Sequence, residues 1–154
     1  MDPRCFLELA DNLIANTNPG PAAARFRTIT SRAYYAGHLA AREFLESLDS
    51  QYFQFGKNRD AHTYVPRYLN YSANQALKHV SSQLNALRAK RTTADYDMGN
   101  PDAESEDFSA DAIDDARDVI SALDGFTNDP AVRSAILAEI KKTNRSARGI
   151  SHQA

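Results

Sequence analysis

The chain has 154 residues, 42% of them hydrophobic and 25% charged, with a formal net charge of -2. That length suits one domain around one core, and the composition is too apolar for a disordered chain and too polar for a membrane protein. Near-neutrality excludes a uniformly basic nucleic-acid coat but leaves a local basic patch open. A single Cys5 excludes an internal disulfide framework and any multi-cysteine metal centre. No stretch approaches the roughly 18 apolar residues that span a bilayer, and the opening MDPRCFLELADN lacks an export pattern, so a cytoplasmic protein with no membrane segment is expected.

Taken in chain order, the apolar residues recur at helical spacing. A first helix is expected with Asp2 as N-cap and Pro3 in its first turn, a stripe of Phe6, Leu9, Leu13 and Ile14, and a stop before Asn18, Pro19 and Gly20. A long helix over 25–48 follows from Phe26, Ile29, Ala33, Gly37, Ala40, Phe44 and Leu48, and its small residues invite a neighbouring helix to approach closely. A shorter helix is expected over 61–70, with Pro66 in its first turn or kinking it. Ser72 and Gln75 read as a capping box that opens a helix carrying Leu77, Val80, Leu84, Leu87, Arg91 and Ala94 on one stripe.

Ten of the chain's 20 acidic residues lie between Asp95 and Asp118, against the lone basic Arg117. Residues 98–108 are expected to form a mobile, solvated acidic loop, with a helix from near Ser109 that ends at Gly125. Asp129 and Pro130 open a last helix through Val132, Ile136, Leu137 and Ile140, and residues 143–154 read as a flexible tail. The expected architecture is therefore all-α, an up-and-down antiparallel bundle of five to six helices in one domain over 1–142.

The common phosphate and metal signatures are missing: there is no GxGxxG, no GxxxxGK[ST] and no HExxH. Asp95, Asp97 and Glu106 mimic a calcium loop, but Gly99 stands where an oxygen ligand is needed and Asn100 where the turn needs Gly. The four histidines (His38, His62, His79 and His152) have no spacing that puts two on one helix face, so no metal or other cofactor is expected.

Arg91 breaks the pattern, because it occupies a core-facing step where an always-charged guanidinium requires a partner. Asp95, one helical turn on, is placed to pair with it. One reading is a structural ion pair at a helix end. The other is that Arg88, Lys90 and Arg91, beside Tyr96, face a cleft and contact phosphate. Tyr34 and Tyr35 are successive, so a helix points one toward the core and the other toward a cleft, where a ring beside Arg32 can stack on a base.

Two segments, SRAYYAGHLAAREFL at 31–45 and LRAKRTTADYDMG at 87–99, give the chain a resemblance to the HEPN family of helical nucleotide-binding domains. The resemblance implies a helical bundle that forms a homodimer with a site between subunits, and many such domains are metal-independent endoribonucleases of toxin–antitoxin or defence systems. It further implies RNA or nucleotide as ligand, and an antitoxin or a nucleotidyltransferase as partner. The family's motif is an Arg, usually a polar residue next, and a His four to six positions after the Arg. Arg91 and Thr92 match its start, but the position five after Arg91, with four residues between, is Tyr96, not His.

Metal-free RNA cleavage needs a base for the 2′-hydroxyl, a positive group for the phosphorane and an acid for the leaving oxygen. Arg91 suits the second role. Tyr96, a phenol with an ordinary pKa of about 10, is a poor base but can donate a proton. Asp95 can serve as base only if Arg91 does not hold it. His38, six residues after Arg32 and about 120° round the helix from it, is a further candidate if packing brings it to Arg91. The catalytic candidates are thus Arg91, Tyr96, Asp95 and His38, and the nucleic-acid-binding candidates Arg88, Lys90, Arg32 and Tyr35. A binding domain without catalysis is the competing expectation, and the acidic segment directly after Tyr96 is positioned to shield the basic helix end.

Overall fold

The computed structural model describes residues 2–16, 21–55, 60–126 and 129–151. It is all-α, with helices α1 (Arg4–Ala15), α2 (Ala22–Leu48), α3 (Ala61–Asn70), α4 (Gln75–Tyr96), α5 (Glu106–Asp124) and α6 (Pro130–Ser151), and a single 3-10 turn at Asp102–Glu104. The expected break at Asn18, Pro19 and Gly20, and His152, lie outside the described residues.

The long α2 is the axis of the molecule. Phe26, Ile29, Ala33, Ala40 and Phe44 are buried as their spacing predicts, and Thr30, Tyr34, His38, Ala41 and Leu45 are buried as well, because other helices cover more than one face. Arg27 lies close to Ala94 and Gly37 to Leu84 and Leu87, so α4 runs antiparallel to α2. Gly37 also faces Val119, and Phe44 packs on Phe126 at 6.2 Å, so α5 runs parallel to α2. A Cβ at Gly37 would meet Leu87, Val119 and Leu84 at 3.4–3.6 Å, so α2, α4 and α5 pack closely at this point. Full burial of side chains such as Ile29, Leu84 and Leu87 contributes roughly 1.5–3 kcal/mol each.

Helices α1 and α4 flank α2 on either side and make no contact with each other among the described residues. On α1 the inward residues are Phe6, Leu7, Ala10, Leu13 and Ile14, whereas Leu9, expected on the stripe, is exposed. Helix α6 closes one end: Arg133 donates to the Ser47 carbonyl at 2.9 Å, and Lys141 pairs with Asp49 at 2.6 Å.

Three boundaries differ from the sequence reading. Asn74, not Ser72, caps α4, its side chain accepting from the N–H groups of Ala76 and Leu77; Ser72 instead donates to Glu139 on α6. Within 98–108 the chain makes the 3-10 turn, buries Ala103, and opens α5 at Glu106 with Ser105 as N-cap, three residues earlier than expected. Helix α6 continues through Ser151 rather than fraying at 143, because Asn144 is buried against the Tyr52 hydroxyl at 2.6 Å and Thr143 donates to the Tyr71 carbonyl at 3.2 Å.

Candidate nucleic-acid interface

Between α1 and α4, α2 carries Arg32 and Tyr35, both half-buried. Tyr35 is the centre of the group. Its ring lies 6.2 Å from Phe6 on α1, and the guanidinium carbons of Arg32 and Arg91 lie 5.6 and 5.9 Å from its centroid. Two cations therefore share one ring, an arrangement favoured by the ring's quadrupole.

Arg91 sits on the buried stripe of α4 at the step where the bundle opens, its side chain 22% exposed. Nε lies 2.5 Å from Asp95 Oδ2, Nη2 donates to the Tyr96 hydroxyl at 3.3 Å, and the guanidinium lies 5.1 Å from the Tyr96 ring centroid. Burial opposes the charge, but Asp95, Tyr35 and Tyr96 outweigh it and raise the guanidinium pKa above its ordinary value. Tyr96 itself is 68% exposed, as is Met98 two residues on. Arg91, Asp95 and Tyr96 are thus brought together, with Asp95 paired to the cation.

His38 lies elsewhere. It is 3% exposed, stacked on Tyr34 with centroids 5.5 Å apart, and burial, then His62, Arg42 and Arg88, push its pKa down to about 3. Arg32 and His38 point to different sides of α2, as six helical steps imply: Arg32 spreads over Phe6 and Tyr35 while His38 is buried against Tyr34. The catalytic candidate His38 is therefore neutral and sealed, because its helix face turns into the core.

Tyr34 and Tyr35 divide as their spacing requires, Tyr34 buried and Tyr35 half-exposed. The Tyr34 hydroxyl lies 2.6 Å from His62 Nδ1, and burial pushes the phenol up to about 12, so it keeps its proton. His62, from α3, also approaches His38 with centroids 4.5 Å apart and meets Tyr35 edge-on at 6.3 Å. It was not singled out in the sequence, because no helical spacing links α3 to α2; the tertiary fold alone joins them.

The cations of α4 have separate fates. Lys90 pairs with Asp115 of α5 at 2.8 Å and is drawn toward the acidic helix. Arg88 stays exposed and reaches α3, donating from Nη1 to the His62 carbonyl at 3.3 Å and to Thr63 Oγ1 at 3.2 Å. That carbonyl is free for a reason. Pro66 stands four residues on inside α3 and has no N–H to return to it, so a proline that would weaken the helix instead provides an anchor for Arg88.

Sequence reasoning also missed Arg27. Its buried guanidinium donates to the carbonyls of Ala94 at 2.9 Å, Asp97 at 3.0 Å and Asn100 at 3.2 Å, and pairs with Glu104 at 2.9 Å. These bonds satisfy the orphan carbonyls at the end of α4 and fix the segment that follows Tyr96. The acidic residues are accordingly distributed: Glu104 on Arg27, Asp95 on Arg91, Asp115 on Lys90.

Among the described residues, no group of three or more His, Cys, Asp or Glu side chains is placed to hold a metal ion, and no helix is long and apolar enough to cross a membrane. Comparison with protein-family models, with curated proteins and with solved structures found no match.

Proposed function

We propose that the chain is a HEPN-like domain that binds RNA or a nucleotide through the Arg91 end of α4, working as a homodimer that brings two such faces together. The observation that carries this reading is the half-buried Arg91 guanidinium held between the Tyr35 and Tyr96 rings. A guanidinium fork suits phosphate, and exposed aromatic rings beside it suit bases. Arg32 and Arg88 add charge that no carboxylate among the described residues takes up in an ion pair. The exposed Tyr96 and Met98 offer apolar surface at the same end for a second subunit.

Binding is favoured over cleavage because Asp95 is tied to Arg91 and His38 is sealed in the core, which leaves both candidate bases poorly placed. Metal-independent endoribonuclease activity is the second reading, and what favours it is His62, an imidazole hydrogen-bonded to Tyr34 beside Arg88 and Arg91. Either reading sets the chain in the cytoplasm, in a toxin–antitoxin or defence role, with an antitoxin or a nucleotidyltransferase as partner.

The test is a mixed-sequence RNA incubated with the protein in EDTA and followed for retention and for fragments. A retained, uncut RNA released by Arg91→Ala is the expected result. Fragments that vanish in Arg91→Ala would establish the enzyme instead, and a wild type that neither retains nor cuts the RNA and does not bind 5′-AMP would defeat both readings.

A further inference from the structure

We propose that His62, together with Arg88 and Arg91, forms an anion subsite that takes the phosphate of the ligand, with Tyr35 as the ring beside it. This rests on the RNA or nucleotide reading above and assigns its phosphate to named groups.

Three independent features of the fold converge on His62. The first is position: of the two imidazoles in contact, His38 is sealed in the core and His62 is half-exposed, edge-on to Tyr35. The second is the hydrogen bond with Tyr34. The phenol remains protonated and lies 2.6 Å from Nδ1, so one ring nitrogen of His62 is engaged by Tyr34 and Nε2 is the nitrogen available to a ligand. With Nε2 protonated, in the neutral tautomer that accepts from Tyr34 or in the imidazolium, the ring donates to phosphate.

The third feature is charge. The groups that face His62 or its neighbours are Arg32, Tyr34, Tyr35 and His38 from α2, Thr63 from α3, and Arg88, Arg91 and Asp95 from α4, with Arg42 acting on His38. Of these, the two guanidinium groups that act on His62 itself, Arg88 and Arg91, stand against one carboxylate, Asp95. Burial, then Arg88 and Arg91, hold the His62 pKa below its ordinary value. An arriving phosphate reverses this balance, because a nearby anion favours the imidazolium. The bound pKa then lies above the free one, so affinity must rise as pH falls through the interval between them.

The experiment follows the histidine ring resonances of the intact protein by NMR from pH 8 to 5, alone and with inorganic phosphate, 5′-AMP or a dephosphorylated single-stranded RNA. One imidazole should titrate at higher pH once ligand is bound, and that signal should be missing in His62→Gln. RNA affinity of the wild type should rise at least threefold from pH 7.5 to 5.5. His62→Gln keeps an N–H donor, so it should retain most of the affinity at pH 7.5 but lose the pH dependence; His62→Ala should lose both, with its helical signal unchanged.

A His62→Ala variant that binds RNA like wild type at both pH values, while Arg91→Ala does not bind, would overturn the subsite and leave the RNA reading standing. His62 shifts with phosphate and 5′-AMP but none with RNA would keep the subsite and assign it to a nucleotide. A His62 signal unmoved by all three ligands would overturn the inference outright.

Discussion

At the scale of single residues, the same side-chain type takes opposite roles according to the helix face it occupies. His38 and His62 touch, yet one is enclosed and held down to about 3 while the other is half-exposed near Arg88 and Arg91. The consequence for stability has a definite sign. Because the folded pKa of His38 lies below its unfolded value of about 6.5, the unfolded chain binds the extra proton first. Stability from this group is complete above about pH 6.5 and is lost as pH falls toward 3, at roughly 1.4 kcal/mol per unit. Thermal unfolding between pH 7 and 4 should therefore fall more steeply in the wild type than in His38→Gln. Parallel curves would show that His38 takes up a proton without unfolding.

At the scale of elements, most of the helices are legible in the sequence because burial follows a 3.6-residue period: Phe26 to Phe44 on α2 and Leu77 to Ala94 on α4 announce themselves. What escapes is whatever depends on partners distant in sequence. Asn74 takes the cap from Ser72 because Glu139, 67 residues away from Ser72, claims that hydroxyl. The segment after Tyr96 looks like an acidic loop until Arg27, 77 residues before Glu104, is seen to gather its carbonyls. The site is legible in part: Arg91, Asp95 and Tyr96 share one helix turn, whereas His62 and the Pro66-freed carbonyl come from α3 and carry no local signal.

Arg27 also supplies the prediction at this scale. Arg27→Met should preserve much of the apolar stem but strand the carbonyls of Ala94, Asp97 and Asn100 and leave Glu104 unpaired, lowering unfolding free energy by about 3 kcal/mol. Chemical denaturation measures it. A loss under about 1 kcal/mol would mean that water satisfies those groups and that the clamp does not hold the Tyr96 end of α4.

For the whole molecule, the net charge of -2 averages over two opposed regions. Half of the acids lie between Asp95 and Asp118, and several are consumed internally by Arg91, Lys90, Arg27 and Arg117. Arg32 and Arg88 hold ring, carbonyl and hydroxyl contacts but no carboxylate ion pair among the described residues, so the face around Tyr35 is positive on a nearly neutral chain. The bundle explains that polarity: α1 and α4 both pack on α2 without meeting, and Arg32 and Arg91 converge on Tyr35 between them.

The central claim is that this face binds RNA or nucleotide phosphate, and the most direct measurement is RNA affinity as a function of salt. Fluorescence anisotropy of a labelled single-stranded RNA should give, for the wild type, a logarithmic affinity that falls steeply with salt, and for Arg91→Ala an affinity at least tenfold weaker with a shallower slope, by roughly 0.7 per lost phosphate contact. Equal affinities and equal slopes for the two proteins would contradict the account.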